Sequence, residues 1–139
     1  LKHSRLDKEN QALAFLLLGA IYSKRTQEGW LFSKIKYGTQ IRHYFELARQ
    51  TAPEMPETHL GIGTFYLKAP AIVGGDINKA LKELGLSVSM APDFATANAR
   101  LAQAYKKMGA MGKYNYYLNK AKTLDPLDEA VKEDEQSRN

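Results

Sequence analysis

Three groups of residues in this chain have types and spacings that could do chemistry: its histidines, a glycine pair ahead of a helix, and a set of regularly placed lysines. The histidines, His3, His43 and His59, are far apart, and no H-E-x-x-H or other ordered metal-ligand spacing joins them. Glu57 and His59 are two residues apart, so on a helix they point to different faces. His59 is expected to pack at the start of a helix. No serine sits in a G-x-S-x-G context, and "DPLDEAVKEDE" lacks the glycine of a calcium loop. The chain has no cysteine, which excludes thiol nucleophiles, disulfides and zinc–thiolate sites. In "YLKAPAIVGGDINKAL", Tyr66–Leu81, the paired glycines precede a helix as they do in a phosphate loop. Asp76 stands at the anion position, however, and no Ser or Thr follows Lys79. The reading is therefore a turn: Pro70 stops one helix, Gly74 and Gly75 turn the chain, and Asp76 caps the next helix. Ile72 and Val73 are expected to tuck against the helices. The chain is read as no enzyme, with no catalytic, cofactor or metal residues.

The elements that would position the lysines are helices. The 139 residues suffice for one domain with a core. The longest apolar run, Ala12–Ile21, is about half of what a membrane-spanning helix needs, so no transmembrane segment is expected. Net charge is +5, and residues 1–50 carry it, with nine Lys/Arg against four Asp/Glu. That balance fits an acidic partner, an anionic surface or a solvated helix face. Leu1 rather than Met opens the sequence, so the N-terminus is read as trimmed and the compartment, cytoplasmic or periplasmic, stays open.

The chain repeats itself. "FELARQTAP" (Phe45–Pro53), "LGLSVSMAP" (Leu84–Pro92) and "LNKAKTLDP" (Leu118–Pro126) share an apolar residue, a small residue three places on, and a proline five places after that. Upstream of each, "FLLLGAIY" (Phe15–Tyr22), "HLGIGTFY" (His59–Tyr66) and "NARLAQAY" (Asn98–Tyr105) share a large apolar residue, a Gly or Ala, and a Tyr three residues later. Helical spacing puts Leu18, Gly19 and Tyr22 on one face, likewise Ile62, Gly63 and Tyr66, and Leu101, Ala102 and Tyr105. A second helix follows each time, with Ile41, Phe45 and Ala48, then Ala80, Leu84 and Ser87, then Tyr114, Leu118 and Ala121 on its buried face. The Gly or Ala lets the second helix come close, and the proline ends the unit. One such hairpin cannot bury its apolar face alone, so about three must stack.

This pattern resembles the tetratricopeptide repeat, a helix–turn–helix unit of about 34 residues. The resemblance covers Ala12–Asp128, in units at about 12–55, 56–94 and 95–128 of a single domain spanning 1–139. The third unit fits the family length without a gap; the second and first are 5 and 10 residues longer. Ile41, Ser87 and Tyr114 stand where the family usually has Ala, and Phe15, His59 or Asn98 where it has Trp. The implied fold is all-α: a right-handed solenoid of three hairpins plus a capping helix at about 128–136. Asp128 is the expected N-cap of that helix, and Asn10 that of the first, after a polar lead-in "LKHSRLDKEN".

Both additions fall between the two helices of a unit. The first, within Ser23–Gln40, is expected to extend the first helix, turn near Gly29 and add Trp30, Phe32, Ile35 and Tyr37. These aromatics beside Lys34 and Lys36 read as a hydrophobic plug or as a stacking surface for a nucleic acid or acidic peptide. The second, "APAIVGGD", resembles a turn of some bacterial tetratricopeptide proteins, among them the helical accessory component of TRAP-type solute transporters, a periplasmic lipoprotein.

In this family the first helix of each hairpin lines a concave groove. The resemblance therefore implies a groove of Leu13, Leu16, Ala20 and Lys24, then Glu57, Leu60, Thr64 and Lys68, then Thr96, Ala99, Gln103 and Lys107. Lys24, Lys68 and Lys107 recur at one repeat position. They read either as a basic row for an acidic peptide or as cations favoured at helix C-termini. Leu16, Ala20, Leu60, Thr64, Ala99 and Gln103 replace the basic and Asn residues with which some members grip a chaperone's C-terminal carboxylate, so a co-chaperone role is not expected. The leading expectation is a non-catalytic protein–protein interaction scaffold that takes a peptide or helix in the groove. Two others stay open: an accessory subunit of a bacterial envelope or solute-transport complex with a small ligand, and a self-assembling structural module. Nucleic acid is disfavoured, and self-association through exposed apolar ends is allowed.

Overall fold

The computed structural model describes residues 2–28 and 31–137, with side chains for 4–23 and 36–137. Among them the chain forms seven α-helices and no strand: α1 (Lys2–Glu28), α2 (Leu31–Thr51), α3 (Pro56–Lys68), α4 (Ile77–Met90), α5 (Ala95–Lys107), α6 (Met111–Leu124) and α7 (Glu129–Gln136). The chain is all-α. Each helix of an odd–even pair packs chiefly on the other: α1 on α2, α3 on α4, α5 on α6. The pairs then join, α4 to α5 and both α1 and α2 to α3, while α7 lies on α5 and α6.

The repeated positions build this packing. Ile41, Phe45, Ala48, Ala80, Leu84, Ser87, Tyr114, Leu118 and Ala121 are all buried. A Cβ built on Gly19 would lie 2.5 Å from the Phe45 ring, and one on Gly63 would lie 2.6 Å from Leu84 Cγ. The missing side chain is what lets each helix pair close. Two larger or polar residues on these faces have their own partners. The Ser87 hydroxyl donates to the Pro56 carbonyl at 2.9 Å. The Tyr114 hydroxyl donates to Asp134 of α7 at 2.6 Å.

A polar tie crosses the first two pairs. His59 Nε2 donates to the Pro53 carbonyl, which can only accept, and Nδ1 faces Glu83 Oε2, both at 2.7 Å. Arg49 Nη2 of α2 donates to the other oxygen of Glu83 at 2.6 Å. Glu83 and His59 are buried, so α2, α3 and α4 are fastened by a carboxylate shared between Arg49 and His59 inside the fold.

The Pro70–Asp76 link is a turn of defined geometry. A 3-10 turn spans Ala71–Val73, Gly74 has φ 105°, and Asp76 Oδ1 accepts from the Asn78 and Lys79 N–H groups. A Cβ on Gly75 would run into the Ala69 carbonyl. Asp128 caps α7 in the same way, accepting from Ala130 and Val131.

Three expectations are corrected. Asn10 is not a cap but lies inside α1, which already begins at Lys2. Straight-chain charged residues with high helix propensity fill its first turns, and Arg5 donates to Glu9 one turn on at 2.8 Å. Leu18 is not buried as Ile62 and Leu101 are; it is 37% exposed. Ile62 packs with Ile41 and Phe45 of the preceding pair, and Leu101 with Ala80 and Leu84. No described helix lies on the corresponding side of α1. Ile72 does not tuck in but stands 63% exposed, while Val73 is half-buried. The 3-10 turn aims the two in different directions. The turn expected near Gly29, Trp30, and the side chains of Phe32, Lys34 and Ile35 lie outside the described residues. Tyr37 joins a ring ladder with Tyr22 (centroids 5.7 Å) and, through it, Tyr44 (5.6 Å).

Candidate functional site: the groove between α1, α3, α5 and α7

One groove of about 850 Å³ runs across the odd-numbered helices. Its floor is apolar: Leu16 and Ala20 from α1, Leu60 and Phe65 from α3, and Ile41 and Phe45 reaching through from α2. Helical periodicity explains the set, because Leu16, Ala20 and Ser23 share one side of α1, and Leu60, Thr64 and Lys68 one side of α3. A second, shallower depression of about 380 Å³ lies beside Pro56, Glu57 and Pro92–Phe94.

The far end of the groove is polar and internally paired. Lys68 Nζ donates to Glu133 Oε1 at 2.6 Å, and Arg100 Nη1 donates to Glu133 Oε2 at 2.7 Å. Burial pushes the Glu133 carboxyl up, but the hydrogen bonds and charges of Lys68 and Arg100 outweigh it and hold the group below its ordinary value. Arg100 also donates to the Gln103 side-chain oxygen, and Gln103 Nε2 donates to the Ala130 carbonyl at 3.0 Å. The Thr96 hydroxyl donates to Asp128. Ala99 is fully buried against Ala121, Ala130 and Val131. Helix α7 therefore occupies the α5 end of the trough.

Of the residues expected to line a groove, Leu16, Ala20, Leu60, Thr64, Lys68 and Thr96 meet in this one. Ala99 and Gln103 lie beneath α7, and Glu57 faces the shallow depression. Leu13 is exposed on α1. The Lys24 side chain lies outside the described residues. The other two lysines of the row are engaged within the fold: Lys68 on Glu133, and Lys107 on the Leu67 carbonyl at 2.6 Å, where it satisfies the end of α3.

Sequence reasoning missed Phe45, Phe65, Arg100, Glu129 and Glu133. Arg100 was within reach, since it follows Thr96 by one helical turn. Glu133 was not, because α7 was read only as a cap. Compared with models of known protein families and with curated proteins, the chain matches none.

Proposed function

We propose that this protein is a non-catalytic docking scaffold whose groove receives an amphipathic helix or an extended apolar segment of a protein partner. The frame for this reading is a tetratricopeptide-like, right-handed solenoid of three helical hairpins closed by α7. The observation that carries it is the apolar floor shared by Leu16, Leu60, Phe45 and Phe65 along a groove of about 850 Å³. Helix α7 supplies an internal precedent. It lies along α5 with small apolar residues, Ala130 and Val131, against Ala99, and sends Glu133 to the cations beside the floor. A partner helix would continue that arrangement toward α1.

The test is a panel of fluorescein-labelled peptides with leucines at helical spacing, titrated by anisotropy. Wild type should bind members of the panel, and Leu16→Glu and Leu60→Glu should each weaken binding by at least about tenfold. Melting curves would confirm that the variants fold. No binding by any peptide, or unchanged affinity in both variants, sinks the reading.

A second reading is favoured by the Pro70–Asp76 turn, whose cap, left-handed glycine and close-packed glycine make it a built feature. It resembles the turn of bacterial solute-transport accessory proteins. In that case the same groove, of a size that suits small molecules, would hold a ligand within an envelope complex.

A further inference from the structure

Helix α1 is apolar on the side that no other described helix covers. Leu6, Leu13, Leu17, Leu18 and Ile21 are 37% to 62% exposed, the largest run of exposed aliphatic residues on any described helix. Leu6, Leu13, Leu17 and Ile21 fall on one stripe by helical periodicity, opposite the buried Ala12 and Gly19. From Asn10 to Ser23 the helix carries no charge, a length of about 21 Å. In the sequence Lys2 precedes that stretch and Lys24 and Arg25 follow it; Arg5 is engaged by Glu9, and Lys8 falls on the opposite side of the helix. Of the nearby acids, Glu9 is held by Arg5, and Asp7 and Glu28 stand outside the uncharged stretch.

We infer that this outer face of α1 lies on an anionic lipid surface. An aliphatic ridge on a single helix, with basic residues before and after it in the sequence, suits burial in the headgroup boundary of an anionic bilayer. The charge distribution points the same way. Residues 1–50 hold the whole +5 of the chain, which attracts an anionic bilayer and opposes pairing of two copies through the same face. The stripe borders the groove, since Leu13 and the groove residue Ala20 are seven residues apart on one side of α1, with Leu17 and Ile21 farther round the helix. No described helix is long and apolar enough to cross the bilayer; the association is with its surface.

Flotation of the full chain with vesicles tests the inference. Vesicles of phosphatidylcholine with about 30 mol % phosphatidylglycerol should carry the protein, and neutral phosphatidylcholine vesicles should carry much less. Leu17→Glu and Leu6→Glu should each cut partitioning by at least about tenfold. Both residues face outward, so melting should be unchanged, and Leu60→Glu in the groove should bind vesicles like wild type. Equal binding to both vesicle types, or no effect of Leu17→Glu, overturns the inference. So does a dimer in light scattering that Leu17→Glu dissolves while vesicles stay bare, which would make a second copy the occupant.

Discussion

Gly63 and Leu84 face each other across the contact of α3 and α4 with no room for a methyl group between them. A Cβ on Gly63 would lie 2.6 Å from Leu84 Cγ and 3.0 Å from the Leu84 backbone nitrogen. The backbone contact means the strain cannot be relieved by a side-chain rotation alone. Gly63→Ala should therefore destabilise the fold by about 1–3 kcal/mol, although alanine is the better helix former. Urea denaturation measures it; a stabilised variant would contradict the packing described.

This relationship was legible in the sequence because it recurs. Gly19 faces Phe45 and Gly63 faces Leu84, and in the third pair Ala102 packs with Leu118, each at the same two repeat positions. What was not legible depends on neighbours the periodicity does not describe. Leu18 has the spacing of Ile62 and Leu101 but no described helix over it. Ile72 is apolar, yet the 3-10 turn lifts it into solvent. Lys68 and Glu133 are 65 residues apart, and no local pattern could bring them together. Half of the expected groove residues converge for the simple reason that helix faces are periodic. Ala99 and Gln103 are covered because α7 docks along α5.

Glu83 carries the polar tie between α2, α3 and α4, accepting from Arg49 and facing His59. Glu83→Ala leaves His59 Nδ1 without its carboxylate and Arg49 with only Glu46, 3.8 Å away, and should cost about 3 kcal/mol. Chemical denaturation checks it. A loss under about 1 kcal/mol would mean that the three residues do not act together.

The docking of α7 should depend on pH through Glu133. Its carboxyl is held below the ordinary 4.5 in the folded chain. The stabilisation is therefore fully present above that value and is lost as pH falls through the lower folded value. Hydrogen exchange of α7 amides should quicken in that acid range, and the dependence should shrink in Glu133→Gln. Identical acid profiles for the two proteins would remove Glu133 from the account.

Asp76 accepts two backbone N–H groups at the start of α4. Asp76→Ala should cost about 1 kcal/mol, and Asp76→Asn much less, since the amide oxygen can still accept. Thermal melts distinguish the two. Equal losses would show that the charge, not the hydrogen bonds, is what the helix needs.

The central claim is that the floor shared by α1 and α3 is where a partner helix sits. The most direct measurement is amide and methyl NMR of the protein titrated with the tightest leucine-spaced peptide. The predicted result is shifts concentrated on Leu16, Ala20, Leu60, Thr64 and Phe65, fading toward Leu127 and Tyr116. Shifts centred on α6, or spread evenly over the molecule, would contradict it.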